Sequence, residues 1–312
     1  MSGRIVVVGS LNADLVVRTL HFPSPGETTT GTGFAVHPGG KGENQAVAAG
    51  RLGARVSMIG RVGRDDHGQL LRRSLTGAGV DTAAIVDDAE APTGVAVITI
   101  DATGQNHIVL APGANECLSP DDIERQRSLI EGAAVLLVQL EVPLETTEAA
   151  ARIAHRGGVT VVLDPAPARR DAIALLSVVD YVTPNETELR LITGAPRGGT
   201  TSSEEAAAMA RTLIAKGADR VIAKLGAAGA LAVSRDGEER WPGHRVQAVD
   251  TTAAGDAWNG AFAVALAEGR SLRDAGAFAS AAAALSVTRA GAQPGMPTRE
   301  EVDRFRAAGE EP

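Results

Sequence analysis

Ala134-Val-Leu-Leu-Val-Gln-Leu140, then Glu145-Thr-Thr-Glu-Ala-Ala-Ala-Arg-Ile-Ala-His155, then Val159-Thr-Val-Val-Leu-Asp164: these three runs, in this order, decide the fold. The outer two are short, nearly unbroken apolar runs, the pattern of strands covered on both faces. The middle one spaces its apolar residues at helical intervals. Strand, helix, strand with short connections is the crossover unit of a parallel sheet. The alternation continues on both sides. Downstream, Tyr181–Thr183 reads as a short strand, helices begin at Glu186 and Ser203, and Arg220–Lys224 and Ala230–Ser234 read as strands. Two long Ala-rich helices follow at Ala257–Glu268 and Leu272–Val287. Upstream, Pro120–Ile130 reads as a helix, Ile5–Val8 and Arg55–Ile59 as strands, and Gly42–Leu52 and Gly68–Thr76 as helices. The expected class is α/β: a mostly parallel central sheet with helices on both faces.

Two strand-rich segments break this scheme. Leu15–Leu20 and Thr28–Val36 are joined by the turn-rich Phe22-Pro-Ser-Pro-Gly26, and Gly94–Asp101 and Gln105–Ala111 flank the hairpin signal Ala102-Thr-Gly104. They are expected to form a small separate sheet whose natural use is a lid. The organisation is therefore one domain over 1–312, with a discontinuous β lid from about 14–36 and 94–111. The last four residues, 309–312, are expected to fray.

The chain has 312 residues, 44% of them hydrophobic and 22% charged, as in a soluble globular protein. Its formal net charge is −8 with no Lys/Arg cluster, which argues against nucleic acid as a partner. An anionic ligand would have to be held by local dipoles. Cys117 is the single cysteine, which excludes a disulfide framework and fits a cytoplasmic setting. The six histidines show no pair at metal-ligand spacing. The segment Met1–Gly9 is too short and too early in glycine for a signal peptide, and no apolar run reaches membrane-spanning length.

Function is carried by Asp250-Thr-Thr-Ala-Ala-Gly-Asp256, which leads directly into an apolar helical segment. Ala253, Ala254 and Gly255 leave little bulk over backbone N–H groups that can face an anion at a helix start. Asp256 would repel that anion, so its presence makes sense if it takes a proton from a nucleophile attacking a bound phosphate. The plainer reading is a helix cap. Gly39-Gly-Lys-Gly-Glu-Asn-Gln45 is the second feature. It lacks the spacing and the Ser/Thr of a Walker A loop, but it lets backbone approach a ligand while Lys41 and Asn44 supply polar contacts. Asn12 and Asp14, two apart in an extended segment, share a face and suit vicinal hydroxyls; a local Asx turn is the alternative. Glu141 closes a strand at its carboxyl end, where ligands of open α/β sheets collect. Asn185 and Glu188 sit at another strand-to-helix junction and also fit an ordinary cap with first-turn acids. Gly226 and Gly229 mark a glycine-rich turn between two strands.

Together these motifs resemble the ribokinase family of sugar kinases, also called phosphofructokinase-B-like, over essentially the whole chain. Besides the two signatures, the resemblance rests on Gly9-Ser-Leu-Asn-Ala-Asp14, Phe22-Pro-Ser-Pro-Gly-Glu27, Asp164-Pro-Ala-Pro-Ala-Arg169, Thr183-Pro-Asn-Glu-Thr-Glu188 and Arg289-Ala-Gly-Ala-Gln293. It implies ATP-dependent phosphorylation of the 5-hydroxyl of D-ribose, with Asp256 as base and Ala253, Ala254, Gly255 and Asp256 forming the anion hole. It implies that Asn12, Asp14, Gly40, Lys41, Asn44 and Glu141 hold the sugar. Asn185 and Glu188 would organise Mg²⁺ and phosphate, partly through water, while Lys224, Gly226, Gly229, Gly255 and Ser280 lie along ATP. Asp250, Thr252, Ser286, Arg289, Gly291 and the loop rim at Gly295 would ring a monovalent cation, K⁺. A homodimer through the lid sheets is implied as well, and exposed lid edges favour it. Four positions depart from the family's commonest pattern: Glu43, Lys224, Ser280 and Gly295. The alternatives are a kinase for another sugar or nucleoside, such as 2-deoxyribose, fructose or pseudouridine, or a sugar-binding sensor without catalysis.

Overall fold

The computed structural model describes residues 3–196, 198 and 201–309. Its strands are β1 (Ile5–Val8), β2 (Asn12–Arg18), β3 (Gly33–Gly39), β4 (Val56–Gly63), β5 (Ile85–Asp88), β6 (Gly94–Ile100) and β7 (Asn106–Ala111). Then come β8 (Val135–Val138), β9 (Thr160–Leu163), β10 (Tyr181–Val182), β11 (Arg220–Lys224), β12 (Ala230–Val233) and β13 (Glu238–Trp241). The helices are α1 (Lys41–Arg51), α2 (Asp66–Gly77), α3 (Pro120–Arg125), α4 (Arg127–Glu131), α5 (Leu144–Arg156) and α6 (Glu186–Thr193). They continue as α7 (Ser203–Ala215), α8 (Ala254–Ala267), α9 (Leu272–Ser286), α10 (Ala292–Gly295) and α11 (Arg299–Gly309).

Nine strands form the main sheet in the order β13-β12-β11-β10-β9-β8-β1-β4-β5. All neighbours from β11 to β5 are parallel, and β12 and β13 add an antiparallel edge. Strand alternation divides the core. Val6, Val8, Leu136 and Val138 face one helix layer, whereas Ile5, Val7, Val135 and Leu137 face the other. Burial on both faces explains why these strands read as unbroken apolar runs. The mostly parallel α/β class expected from sequence is borne out.

The second sheet has four strands in the order β3-β2-β6-β7. Its second segment in sequence differs from expectation: the strand is Gly33–Gly39, not Thr28–Val36. Pairing starts at Arg18 opposite Gly33, so residues 28–31 have no neighbouring strand to hold them extended. The expected helix Pro120–Ile130 is divided into α3 and α4 at Gln126, which leaves helical dihedrals at φ −102 and ψ 13. Gly309 ends α11; the rest of the expected frayed end, 310–312, lies outside the described residues, as do Met1 and Ser2.

One close approach governs the site. A Cβ on Gly260 of α8 would lie 2.6 Å from Ala48 Cβ and 2.8 Å from the Gln45 carbonyl of α1. Only glycine allows α8 and α1 to pack this tightly. Their N-terminal turns consequently face each other. Gly42 does the same between α1 and the end of β1, with a Cβ position 2.6 Å from Ser10 N.

Candidate active site

The carboxyl ends of β1, β8, β9, β10 and β11 open onto the start of α8, the edge where open α/β sheets bind ligands. The N-cap of α8 is Ala253, held at φ 59, and no side chain caps the helix. It is the one non-glycine residue with positive φ among the described residues. An L-residue in that region costs about 1 kcal/mol or more, a cost that surrounding structure must offset. Ala254 N donates to the Thr251 carbonyl at 3.3 Å, and the N–H groups of Gly255 and Asp256 stay open to a ligand.

Asp256 is the third residue of α8 and is not its cap. It is buried, and its side chain turns to α1 instead of its own helix, accepting from Asn44 Nδ2 at 3.1 Å and from Gln45 Nε2 at 3.1 Å. Burial lifts its pKa to about 6; the Lys41 ammonium and the two amides pull it down, while Asp164 pushes it up. A carboxyl tuned to this range suits proton abstraction near neutral pH.

Asp164, at the end of β9, and Gln45 had no role assigned from sequence. Gln45 Nε2 also donates to Asp164 Oδ2 at 2.9 Å, and Lys224 Nζ meets Asp164 Oδ1 at 3.0 Å. The strand-end rule that singled out Glu141 points equally to Asp164. Lys224 is 12% exposed and its Nζ lies 3.4 Å from the Cβ position of Gly255, so its ammonium stands beside the helix start. It is not a solvated surface lysine.

Glu141 accepts from Ser10 Oγ at 2.6 Å and from Lys41 N at 3.1 Å. Asn12 is locked by Asn115, whose Nδ2 donates to Asn12 Oδ1 at 2.8 Å. Asp14, on the same face of β2 as Asn12, is pressed against Gly39. Burial lifts the Asp14 pKa to about 7, with Glu141 and Asp256 adding to the rise. Lys41 is driven the other way: burial works against its charge, but Asp256, Asp164, Glu141 and Glu188 outweigh it and raise its pKa. Asn12, Asp14, Lys41, Asn44, Glu141 and Asp256 thus come together as one polar cluster.

Asn185 and Glu188 form a capping box on α6, with Glu188 N donating to Asn185 Oδ1 at 2.9 Å and Asn185 N to Glu188 Oε2 at 2.7 Å. Both also line a polar cavity of about 260 Å³ with Lys41, Asp164, Lys224 and Asp256. An apolar cavity of about 300 Å³ adjoins it across Lys224, Gly226, Ala254 and Gly255, and reaches Gly229, Trp258, Ser280 and Val287. The start of α8 lies between a polar chamber and an apolar slot. No group of three His, Cys, Asp or Glu residues arranged for a metal occurs among the described residues.

Asp250 is half-buried and satisfied by backbone, accepting from Thr252 N at 2.9 Å and Gly291 N at 2.8 Å. Arg289 does not pair with it; its Nη2 binds Glu301 Oε1 at 2.5 Å. A Cβ on Gly295 would stand 2.6 Å from the Ser286 carbonyl oxygen and 3.5 Å from that of Arg289. These carbonyls therefore converge on Gly295, and a side chain there would not fit without a shift.

Residues 2–299 match the family described as pfkB family carbohydrate kinase. The chain is 44% identical to ribokinase of Haemophilus influenzae, covering 98% of this chain and 99% of the relative. It is 37% identical to deoxyribokinase of Salmonella typhimurium, with coverage of 98% and 99%. A solved structure of Arabidopsis thaliana ribokinase complexed with ribose and ATP superposes with a TM-score of 0.90 at 35% identity, covering 98% of this chain and 99% of that one. The chain belongs to the pfkB family of carbohydrate kinases.

Proposed function

We propose that this chain is an ATP-dependent ribokinase, converting D-ribose and ATP into D-ribose 5-phosphate and ADP. The observation that carries the proposal is Asp256: a buried carboxyl with a raised pKa at an uncapped helix start, between a polar and an apolar cavity. The polar cluster takes the sugar, with Asn12, Asp14 and Glu141 accepting or donating to its hydroxyls. The apolar slot takes the nucleoside of ATP, which puts the phosphates at α8. Asp256 accepts the 5-hydroxyl proton as that oxygen attacks the γ-phosphoryl in line, and the N–H groups of Gly255 and Asp256 hold the developing charge. Mg²⁺ would supply further charge neutralisation on the phosphates. Asn185 and Glu188 fit it through water, since both are also engaged in the α6 cap.

Likeness to the Salmonella deoxyribokinase keeps 2-deoxyribose as the second reading. A site built around Asn12 and Asp14 leaves polar groups unpaired when a hydroxyl is missing. The kcat/KM for ribose is accordingly expected to exceed that for 2-deoxyribose by about tenfold or more. Equal efficiency would favour the second reading. A sensor without catalysis has no use for Gly255-Asp256.

Lys224 is assigned to a phosphate of ATP. Lys224→Thr is expected to raise the KM for ATP roughly tenfold and leave the ribose KM within about twofold. An unchanged ATP KM would reduce Lys224 to the partner of Asp164.

The carbonyls of Ser286 and Arg289, which converge on Gly295, and the nearby Asp250 carboxylate fit a weakly hydrated cation such as K⁺. Full activity of dialysed enzyme in tetramethylammonium buffer without K⁺ would remove that site. The second sheet acts as lid. Phe34, Val97 and Val109 are exposed on one of its faces and Ile108 and Leu110 on the other, which supports a homodimer through paired lids. Sedimentation as a monomer would contradict it. The lone cysteine supports a cytoplasmic enzyme, and recovery in a membrane or secreted fraction would refute this.

A further inference from the structure

We infer that Gln293 is a positioning residue for the base: its amide fixes the orientation of the Asn44 amide, which in turn fixes Asp256. The inference rests on the reading of Asp256 as base. Three hydrogen bonds run in one direction. Ser74 Oγ donates to Gln293 Oε1 at 2.7 Å, Gln293 Nε2 donates to Asn44 Oδ1 at 3.2 Å, and Asn44 Nδ2 donates to Asp256 Oδ2 at 3.1 Å. An ionised carboxylate only accepts, so the amides before it must present N–H groups toward it. The Asn44 amide can be turned over about its Cβ–Cγ bond, which would set an oxygen against the carboxylate. Gln293 prevents this by occupying the Asn44 oxygen.

The other oxygen of Asp256 is held in the same manner. Gln139 Nε2 donates to Gln45 Oε1 at 2.7 Å, and Gln45 Nε2 donates to Asp256 Oδ1 at 3.1 Å. All four amides are buried, away from water that could substitute for a lost partner. Asp256 is thereby fixed in plane, with its free lone pairs left for the substrate proton. The second relay joins the end of β8, α1 and α8 in the interior. The first reaches the surface layer, since Gln293 belongs to α10, Ser74 to α2, and Arg51 Nη1 grips the Gln293 carbonyl at 2.9 Å. Changes in how α10 sits therefore reach the base.

Glu43 completes the arrangement. It is fully buried beside Ser74 and Gln293, and neither of its carboxyl oxygens has a hydrogen-bond partner among the described residues. Burial pushes its pKa well up, with Gln293 and Ser74 opposing. The charged groups facing Asp256 are Lys41 and Asp164, with Asp14 close by, and Lys224 and Glu188 face Asp164.

The test is the pH profile of kcat at saturating ATP and ribose for wild type, Gln293→Met, Ser74→Ala and Asp256→Asn. Loss of an N–H to a carboxylate disfavours its charged form, and the base acts only when charged. The acid limb of Gln293→Met is expected to move up by about one pH unit, lowering kcat about tenfold on that limb and less than about threefold on the alkaline plateau. Ser74→Ala, far from substrate, should shift the limb the same way by less, and it carries the test should Gln293→Met not fold. An unmoved limb, or a loss equal at every pH, would overturn the relay and leave Gln293 a structural residue. Near-normal kcat in Asp256→Asn would instead overturn the base assignment itself, so the two failures are distinguishable.

Discussion

Asp256→Asn is expected to cut kcat by at least about a hundredfold, the range for loss of a general base, while ribose binding stays within several-fold. The substitution keeps volume, and the start of α8 does not depend on the side chain, because the cap is Ala253. What is lost is the ability to take a proton. In the wild type the carboxyl has its pKa raised to about 6 by burial, so it is protonated and idle at lower pH. Activity therefore rises as pH passes upward through that value, and the Asn variant should lack this limb. A variant turning over at nearly the normal rate would show that Asp256 is not the base.

The second large effect is on sugar binding. Asp14→Ala is expected to raise the ribose KM roughly ten- to a hundredfold, corresponding to about 1–3 kcal/mol for buried groups left unpaired. Its kcat should fall far less than that of Asp256→Asn. Asp14 carries a pKa raised to about 7 by burial and by Glu141 and Asp256. As a ligand for two sugar hydroxyls, its charged form would accept a hydrogen bond from each, so the wild-type KM for ribose should fall as pH rises through that value. Calorimetric titration of ribose onto Asp14→Ala checks the assignment, and unaltered affinity would dismiss Asp14 as a sugar ligand.

The fold was legible where strands are buried on both faces and apolar throughout. Ile5–Val8, β8 and β9 appear in the structure close to where their sequence runs lie. Edge strands were missed for the same reason in reverse. Glu238–Trp241 is largely polar and pairs on one side only, and Ile85–Asp88 ends in two carboxylates. The start of β3 depended on where its neighbour ends, which no local pattern encodes. In the candidate site, Lys41, Asn44, Glu141 and Asp256 were singled out because each sits in a glycine-rich stretch or at a strand end. Gln45, Asp164, Gln139 and Gln293 escaped because their work is pairwise and distant: Gln45 meets Asp256 across 211 positions, and Gln293 meets Asn44 across 249. Asp250 accepts from two backbone N–H groups and Arg289 pairs with Glu301, contacts that no local pattern encodes.

The central claim is that the γ-phosphoryl group of ATP reaches the 5-hydroxyl of D-ribose. Phosphorus NMR of a reaction containing enzyme, ATP, Mg²⁺, K⁺ and D-ribose tests it directly. The account predicts a new phosphomonoester signal split by the two protons on C5, growing in equal amount with ADP. A signal split by the single anomeric proton, or ADP accompanied only by inorganic phosphate, would contradict it.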